Sequence, residues 1–356
     1  MKHITINGKP YEVEDDLTII EAAKRNGIQI PSLCYLAGVH EFGSCRICVV
    51  EVEGAKTLVP SCMTKVSEGM VIQTNSERVR KARKVLYELL LSDHSKDCLS
   101  CKRNQSCELQ ALGKQLGVEA TRFEGARSEC VIDVSTSITR DMSKCILCRR
   151  CVTACNEIQG VGIINAQNRG FQTVIAPAME LAIGTVNCAF CGQCTVVCPV
   201  GALKETDSIQ AVWEAINDKT KRVIVQTAPA IRVAIGEEFG NEPGARVTGK
   251  LAAALRRLGF DDVFDTNFTA DLTILEEGTE LLSRVKSALT GGEAVLPMIT
   301  SCSPGWIKYV EHTYPDSLGH LSTCKSPHTM LGALAKSYYA GKIKREPKDI
   351  FVVSIM

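Results

Sequence analysis

The chain has 356 residues, with 41 basic against 40 acidic side chains and a net charge of +1. That balance argues against a nucleic-acid partner held by a broad positive field, and the length suggests two or three domains. The N-terminus Met1-Lys2-His3-Ile4-Thr5-Ile6-Asn7-Gly8 is too polar for a secretory signal. No apolar run approaches the roughly 18 residues of a membrane span, so a cytoplasmic location without a membrane partner is expected. The 18 cysteines are too few for a disulfide scaffold, and in a reducing compartment they point first to metal. All but Cys130, Cys302 and Cys324 fall into three tight groups within the first 200 residues.

The first group is Cys34, Cys45, Cys48 and Cys62, spaced C-x10-C-x2-C-x13-C. A first gap, a C-x2-C pair and a distant fourth cysteine are the order of a plant-type [2Fe–2S] ferredoxin, with a longer first gap here. The surrounding pattern predicts a β-grasp. Residues 3–7 alternate as a strand, Gly8-Lys9 turns, and 11–14 return. Leu17 to Ala23 reads as a helix ending at Gly27, and 47–52 and 57–59 flank the turn Glu53-Gly54-Ala55. Zinc is the alternative, because structural zinc also uses C-x2-C pairs, but rarely with this asymmetric spacing.

A helix is expected from Ser76 to Leu91, with Val79, Ala82, Leu86 and Leu89-Leu90 on its apolar side. Its basic run 78–84 reads as a solvated face, with docking to an acidic partner as the lesser alternative. After it come His94, Cys98, Cys101 and Cys107, spaced H-x3-C-x2-C-x5-C. One imidazole and three thiolates suit either zinc or a [4Fe–4S] cluster; its place between two cluster-binding groups favours the cluster. The third group is two runs, Cys145-x2-Cys148-x2-Cys151-x3-Cys155 and Cys188-x2-Cys191-x2-Cys194-x3-Cys198-Pro199. Such a repeat marks a two-cluster bacterial ferredoxin, in which the fourth cysteine of each run serves the other cluster. Cys145, Cys148, Cys151 and Cys198 are therefore expected to hold one [4Fe–4S] cluster, and Cys155, Cys188, Cys191 and Cys194 the second. One [2Fe–2S] and three [4Fe–4S] clusters need about 14 irons and make an electron wire.

From about residue 221 the composition changes. Apolar runs at 223–225, 263–264, 295–299 and 351–355 read as buried strands, and helices are expected at 249–258, 271–289, 305–312 and 327–340, an α/β lobe with a mostly parallel sheet. The run 244–251 resembles a P-loop but lacks the Ser or Thr after Lys250 and reads as a turn into a helix. No G-x-G-x-x-G occurs, so NAD(P) or flavin is expected on another subunit. The expected organisation is α+β and α/β multidomain. It comprises a [2Fe–2S] β-grasp domain at 1–76, a His-ligated [4Fe–4S] domain at 77–135, a two-cluster ferredoxin domain at 136–220 and a partial α/β lobe at 221–356.

These features, with Thr227-Ala228-Pro229-Ala230, Thr300-Ser301-Cys302-Ser303-Pro304-Gly305-Trp306 and Lys325-Ser326-Pro327, resemble the [FeFe]-hydrogenase family along the whole chain. The resemblance is nearest to large subunits of multimeric, electron-bifurcating NAD(P)-linked hydrogenases. The first 200 residues are also similar to the large iron–sulfur subunit of respiratory complex I. It implies partners: a flavoprotein that oxidises NAD(P)H, a small thioredoxin-like [2Fe–2S] subunit, and ferredoxin or another redox enzyme. In the family pattern T-S-C-C-P-G-W the first cysteine relays protons and the second ligates the cubane of the H-cluster. Here Cys302 fills the relay position and Ser303 the ligand position; a serine oxygen is a poor ligand by softness. The family's Gln after Lys-Ser-Pro is His328, and the segments carrying the other cubane ligands would lie beyond Met356. No H-cluster is therefore expected, and an electron-transfer subunit is the reading. A truncated or variant hydrogenase catalytic subunit, or a redox sensor, are the alternatives. Cys130 and Cys324 are read as free thiols.

Overall fold

A computed structural model describes residues 1–123, 128 and 130–356. The chain forms two compact units, Met1–Thr206 and Asp207–Met356.

The first unit begins with β1 (Lys2–Ile6) and β2 (Lys9–Val13), paired antiparallel, followed by α1 (Ile19–Arg25). The start of α1 is fixed by a capping box: the Glu21 carboxylate accepts from the Thr18 amide at 2.8 Å and its hydroxyl at 2.7 Å. Next come β3 (Val49–Val52), β4 (Val59–Pro60) and β5 (Val71–Gln73). They complete a sheet of order β2-β1-β5-β3-β4, with β5 parallel to β1. Alternation puts Ile4, Ile6, Val50 and Ile72 on one face, where Ile19, Ile20, Ala22 and Ala23 of α1 close a core that also holds Cys48 and Cys62. Strand β5 was not legible from the sequence, because only Val71 and Ile72 are apolar and its partner β1 is 65 residues away.

α2 (Glu77–Asp93) buries Val79, Arg83, Tyr87 and Glu88. This corrects the expected stripe: Leu89 is exposed, and the row at i, i+4 and i+8 runs through an arginine of the basic segment. The run 78–84 is therefore not a uniformly solvated face. After α3 (Glu108–Leu116), the strands β6 (Ile132–Val134), β7 (Ile138–Asp141) and β10 (Leu203–Glu205) form a sheet of order β10-β7-β6. It encloses α4 (Arg150–Thr153), the hairpin β8 (Asn165–Gln167) and β9 (Val174–Ala176), and α5 (Gln193–Val196) in sequence. One buried side chain ties these pieces together. Arg150, at the start of α4, donates to both carboxylate oxygens of Glu108 at 2.7 and 2.9 Å, and to the carbonyls of Cys34 and Tyr35, each at 3.2 Å.

The second unit has α6 (Ile209–Asn217), β11 (Arg222–Thr227), α7 (Ile231–Ala234), α8 (Thr248–Leu258), β12 (Asp262–Asp265), α9 (Asn267–Leu289), α10 (Pro304–Thr313), α11 (Pro327–Leu334) and β13 (Ile350–Ile355). Its sheet is all parallel, of order β12-β11-β13. Val223 and Val225 meet Leu251, Leu255 and Ala215 on one face, while Ile224 meets Ala335 and Ala340 on the other. Cover on both faces explains the unbroken apolar run of β11. The expected strand at 295–299 is not formed; only Ile299 makes a bridge, to Leu321. Pro297 lacks the donor a central strand needs, and Val295 and Leu296 are exposed.

Two substitutions test this packing. Ile72→Ala removes a fully buried side chain and should lower unfolding free energy by about 2–5 kcal/mol, measured by guanidinium denaturation. Glu108→Gln leaves the buried Arg150 charge without its carboxylate; because Glu108 is half exposed, the expected cost is about 1–3 kcal/mol in the same assay.

Candidate iron–sulfur centres

The structure gathers all the predicted ligands of the first unit into four separate groups. In the first, Cys34, Cys45, Cys48 and Cys62 are all buried. The Cys48 and Cys62 sulfurs are 3.3 Å apart, and the Cys45 amide lies 3.5 Å from the Cys34 sulfur. Hydrogen bonds from the thiols of Cys45 and Cys62 hold the Cys34 thiol well below its ordinary range, and the same contacts push Cys45 and Cys62 up. Four thiols this close share too few protons and lone pairs to be at ease without a cation among them.

The second group lines a cavity of about 630 Å³, with His94, Cys98, Cys101 and Cys107 all on its wall. His94 is buried and its Nδ1 has no hydrogen-bond partner. Burial lowers its pKa from the ordinary value, which keeps the imidazole neutral, the form that ligates metal. Gly201 is required beside it: a Cβ there would sit 2.6 Å from the Cys101 sulfur.

The two runs of the third group fold as copies. Leu147 and Arg149 of the first, and Phe190 and Gly192 of the second, occupy the left-handed region at matching positions. That turn lets the Leu147 amide reach the Cys145 sulfur and the Phe190 amide the Cys188 sulfur, both at 3.3 Å. Left-handed backbone at leucine and phenylalanine costs on the order of 1–2 kcal/mol each, a strain that the loop's thiol geometry imposes. Cys145, Cys148, Cys151 and Cys198 line one small internal void. Cys155, Cys188, Cys191 and Cys194 line another. Burial pushes Cys148 and Cys194 up to about 12, so as lone side chains they stay protonated. An unoccupied set would thus be a cluster of buried, poorly partnered thiols, and iron supplies the charge that turns each into a thiolate ligand. The donors fit iron–sulfur clusters.

Three of these neighbourhoods adjoin. The Glu108 amide, next to Cys107, donates to the Pro199 carbonyl at 3.0 Å. Arg150, between Cys148 and Cys151, holds the Cys34 carbonyl. His40, 2% exposed, bonds Thr153 of α4 through Nδ1 at 2.6 Å. The first and second groups therefore both abut the Cys145–Cys198 set. Sequence reasoning missed Arg150, Glu108, His40 and Arg83; only their positions next to cysteines in the chain hinted at them.

In the second unit, Ile299 and Leu321 bridge the two family-like segments, and the Ser301 hydroxyl donates to the Cys324 carbonyl at 2.8 Å. Cys302 is exposed and Cys324 partly buried. Ser303 is the N-cap of α10, its side-chain oxygen accepting from the Trp306 amide at 3.5 Å. The His328 carbonyl accepts from buried Gln226 at 2.9 Å.

Residues 221–356 match the family described as iron only hydrogenase large subunit, C-terminal domain. Residues 1–77 match a 2Fe-2S iron-sulfur cluster binding domain, 83–122 the NADH-ubiquinone oxidoreductase-G iron-sulfur binding region, and 135–204 the ferredoxin-like domain of NADH-quinone oxidoreductase subunit 3. The chain is 52% identical over its whole length to an NADP-reducing hydrogenase subunit of Solidesulfovibrio fructosivorans, and 40% identical to iron hydrogenase 1 of Clostridium pasteurianum. It spans 62% of the length of each. It is also 37% identical, over 57% of its length and 24% of the relative's, to the alpha subunit of an NADPH-Fe(3+) oxidoreductase of Geobacter sulfurreducens. Among solved structures, an NAD+-reducing [NiFe]-hydrogenase covers 58% of this chain and 88% of its own with a TM-score of 0.55 and 29% identity. Among the described residues, no helix is long and apolar enough to cross a membrane. The chain belongs to the iron-only hydrogenase large-subunit family, with [2Fe–2S] and [4Fe–4S] binding domains of the kind matched in the NADH-quinone oxidoreductase iron–sulfur subunit.

Proposed function

We propose that this chain is the iron–sulfur electron-transfer subunit of a cytoplasmic NAD(P)H-linked oxidoreductase complex, flavin-containing and electron-bifurcating. The observation that carries this is the gathering of the sixteen predicted donors into four groups, three of them adjoining through Arg150, Glu108 and the Cys198-Pro199 loop. In this reading Cys34, Cys45, Cys48 and Cys62 hold a [2Fe–2S] cluster in a β-grasp domain over 1–76. His94, Cys98, Cys101 and Cys107 hold a [4Fe–4S] cluster in a domain over 77–135. The sets Cys145, Cys148, Cys151, Cys198 and Cys155, Cys188, Cys191, Cys194 hold two more in a ferredoxin-like domain over 136–220. When bound, such clusters exchange single electrons. The protein's part is to fix their ligands, exclude water and aim amide donors such as those of Leu147 and Phe190 at the sulfurs. The names of the relatives favour a flavoprotein partner that oxidises NAD(P)H, a small thioredoxin-like [2Fe–2S] subunit, and ferredoxin or another redox enzyme as the second exchange partner.

Hydrogen catalysis is the second reading, favoured by the match of residues 221–356 and by exposed Cys302. Ser303 speaks against it. Its hard oxygen is engaged in capping α10, and it does not suit a soft cubane. No hydrogen step is derived for this lobe.

The test is anaerobic isolation of the native complex with its partners identified. Reduction of this chain's clusters by NAD(P)H only in the presence of a flavoprotein subunit is expected; their reduction by hydrogen with no partner present would favour the second reading instead. His94→Cys should retain a [4Fe–4S] signal in electron paramagnetic resonance (EPR), with a more negative midpoint. A thiolate adds a negative charge where imidazole adds none. Loss of iron and gain of zinc tolerance at that site would contradict the assignment.

A further inference from the structure

We propose that Arg83 is the buried counter-charge of the first cluster, raising the potential of the [2Fe–2S] centre held by Cys34, Cys45, Cys48 and Cys62. The inference rests on the assignment of that centre. Three arginines of the first unit are buried: Arg83, Arg140 and Arg150. Arg140 is paired with Asp133 at 3.2 Å and Arg150 with Glu108 at 2.7 Å. Arg83 has no carboxylate partner among the described residues. It donates from Nε to the Ile47 carbonyl at 3.0 Å and from Nη2 to the Val49 carbonyl at 2.8 Å. Those carbonyls flank Cys48, so the guanidinium grips the cluster loop from behind its third ligand. The electrostatic neighbour that acts on Arg83 is Cys48 itself.

Burying a lone cation is costly unless an anion repays it. Carbonyl dipoles repay part. Burial draws the Arg83 pKa down to about 10, so the group remains charged at neutral pH. The missing anion is the cluster with its four thiolates. The assembly carries two negative charges when oxidised and three when reduced, because the one electron gained adds a charge and no proton is required. A fixed cation stabilises the triply charged form more than the doubly charged one. The position is also fixed: Arg83 shares the buried row of α2 with Val79 and Tyr87, so the helix, not solvent, sets its distance from the loop.

The experiment compares the full chain, anaerobically loaded, with Arg83→Gln and Arg83→Lys by EPR-monitored potentiometric titration. Arg83→Gln keeps an N–H donor for the carbonyls and removes the charge. It is expected to show the [2Fe–2S] signal at a more negative midpoint. The reduced-to-oxidised ratio should fall at least tenfold at the wild-type midpoint, equivalent to about 59 mV for one electron. Arg83→Lys, which keeps the charge, should recover most of that shift, and the [4Fe–4S] midpoints should stay put in both. An unchanged midpoint in Arg83→Gln would overturn the proposal. So would a common shift of all centres, or loss of the [2Fe–2S] signal from both variants while the [4Fe–4S] signals persist, since Arg83 would then serve assembly alone. Absence of a [2Fe–2S] signal from the wild-type chain would instead remove the assignment on which the inference stands.

Discussion

Burial of closely spaced thiols is the condition to which the rest of the first unit answers. A buried thiolate is disfavoured by desolvation, which is why Cys148 and Cys194 rise to about 12 and Cys107 and Cys188 move in the same direction. Yet the fold repeatedly spends backbone freedom to bring these sulfurs together: left-handed Leu147 and Phe190, left-handed Arg149 and Gly192, and a glycine at 201 where no Cβ fits. Such outlay makes sense when a multiply charged iron–sulfur core replaces the protons, so that folding and cluster binding are one coupled equilibrium.

Charge is then the second constraint. A cluster with four thiolates is an anion in a dry interior, and each buried arginine of the unit answers a different need. Arg140 joins β6 and β7 through Asp133 and holds the Ile175 carbonyl. Arg150 ties α4 to the Cys34 loop and to Glu108. Arg83 sits behind Cys48 with carbonyls alone. In the second unit the conditions differ. The sheet is covered on both faces by apolar side chains, and the one residue at the family's ligand position is a helix cap, Ser303.

The cysteine spacings were the most legible part of the chain, because ligands must converge and short C-x2-C loops converge locally. Helices α1, α8 and α10 and strands β1, β2, β11 and β13 were legible for a related reason: local periodicity matches their burial. What periodicity could not reveal is long-range. β5 pairs with a strand 65 residues away. Arg150 reaches Cys34 across 116 residues. Arg83 looked like one more charge in a basic run until its row on α2 proved to face inward. The failure at 295–299 has a local cause, an apolar run broken by Pro297.

The most direct measurement is quantitative Mössbauer and EPR spectroscopy on the anaerobically prepared, dithionite-reduced chain, with iron and zinc counted on the same sample. One [2Fe–2S] and three [4Fe–4S] centres per chain, about 14 irons in all, with no stoichiometric zinc, is the predicted result. Stoichiometric zinc in place of a cluster, or fewer than four centres in a fully folded chain, would contradict the account.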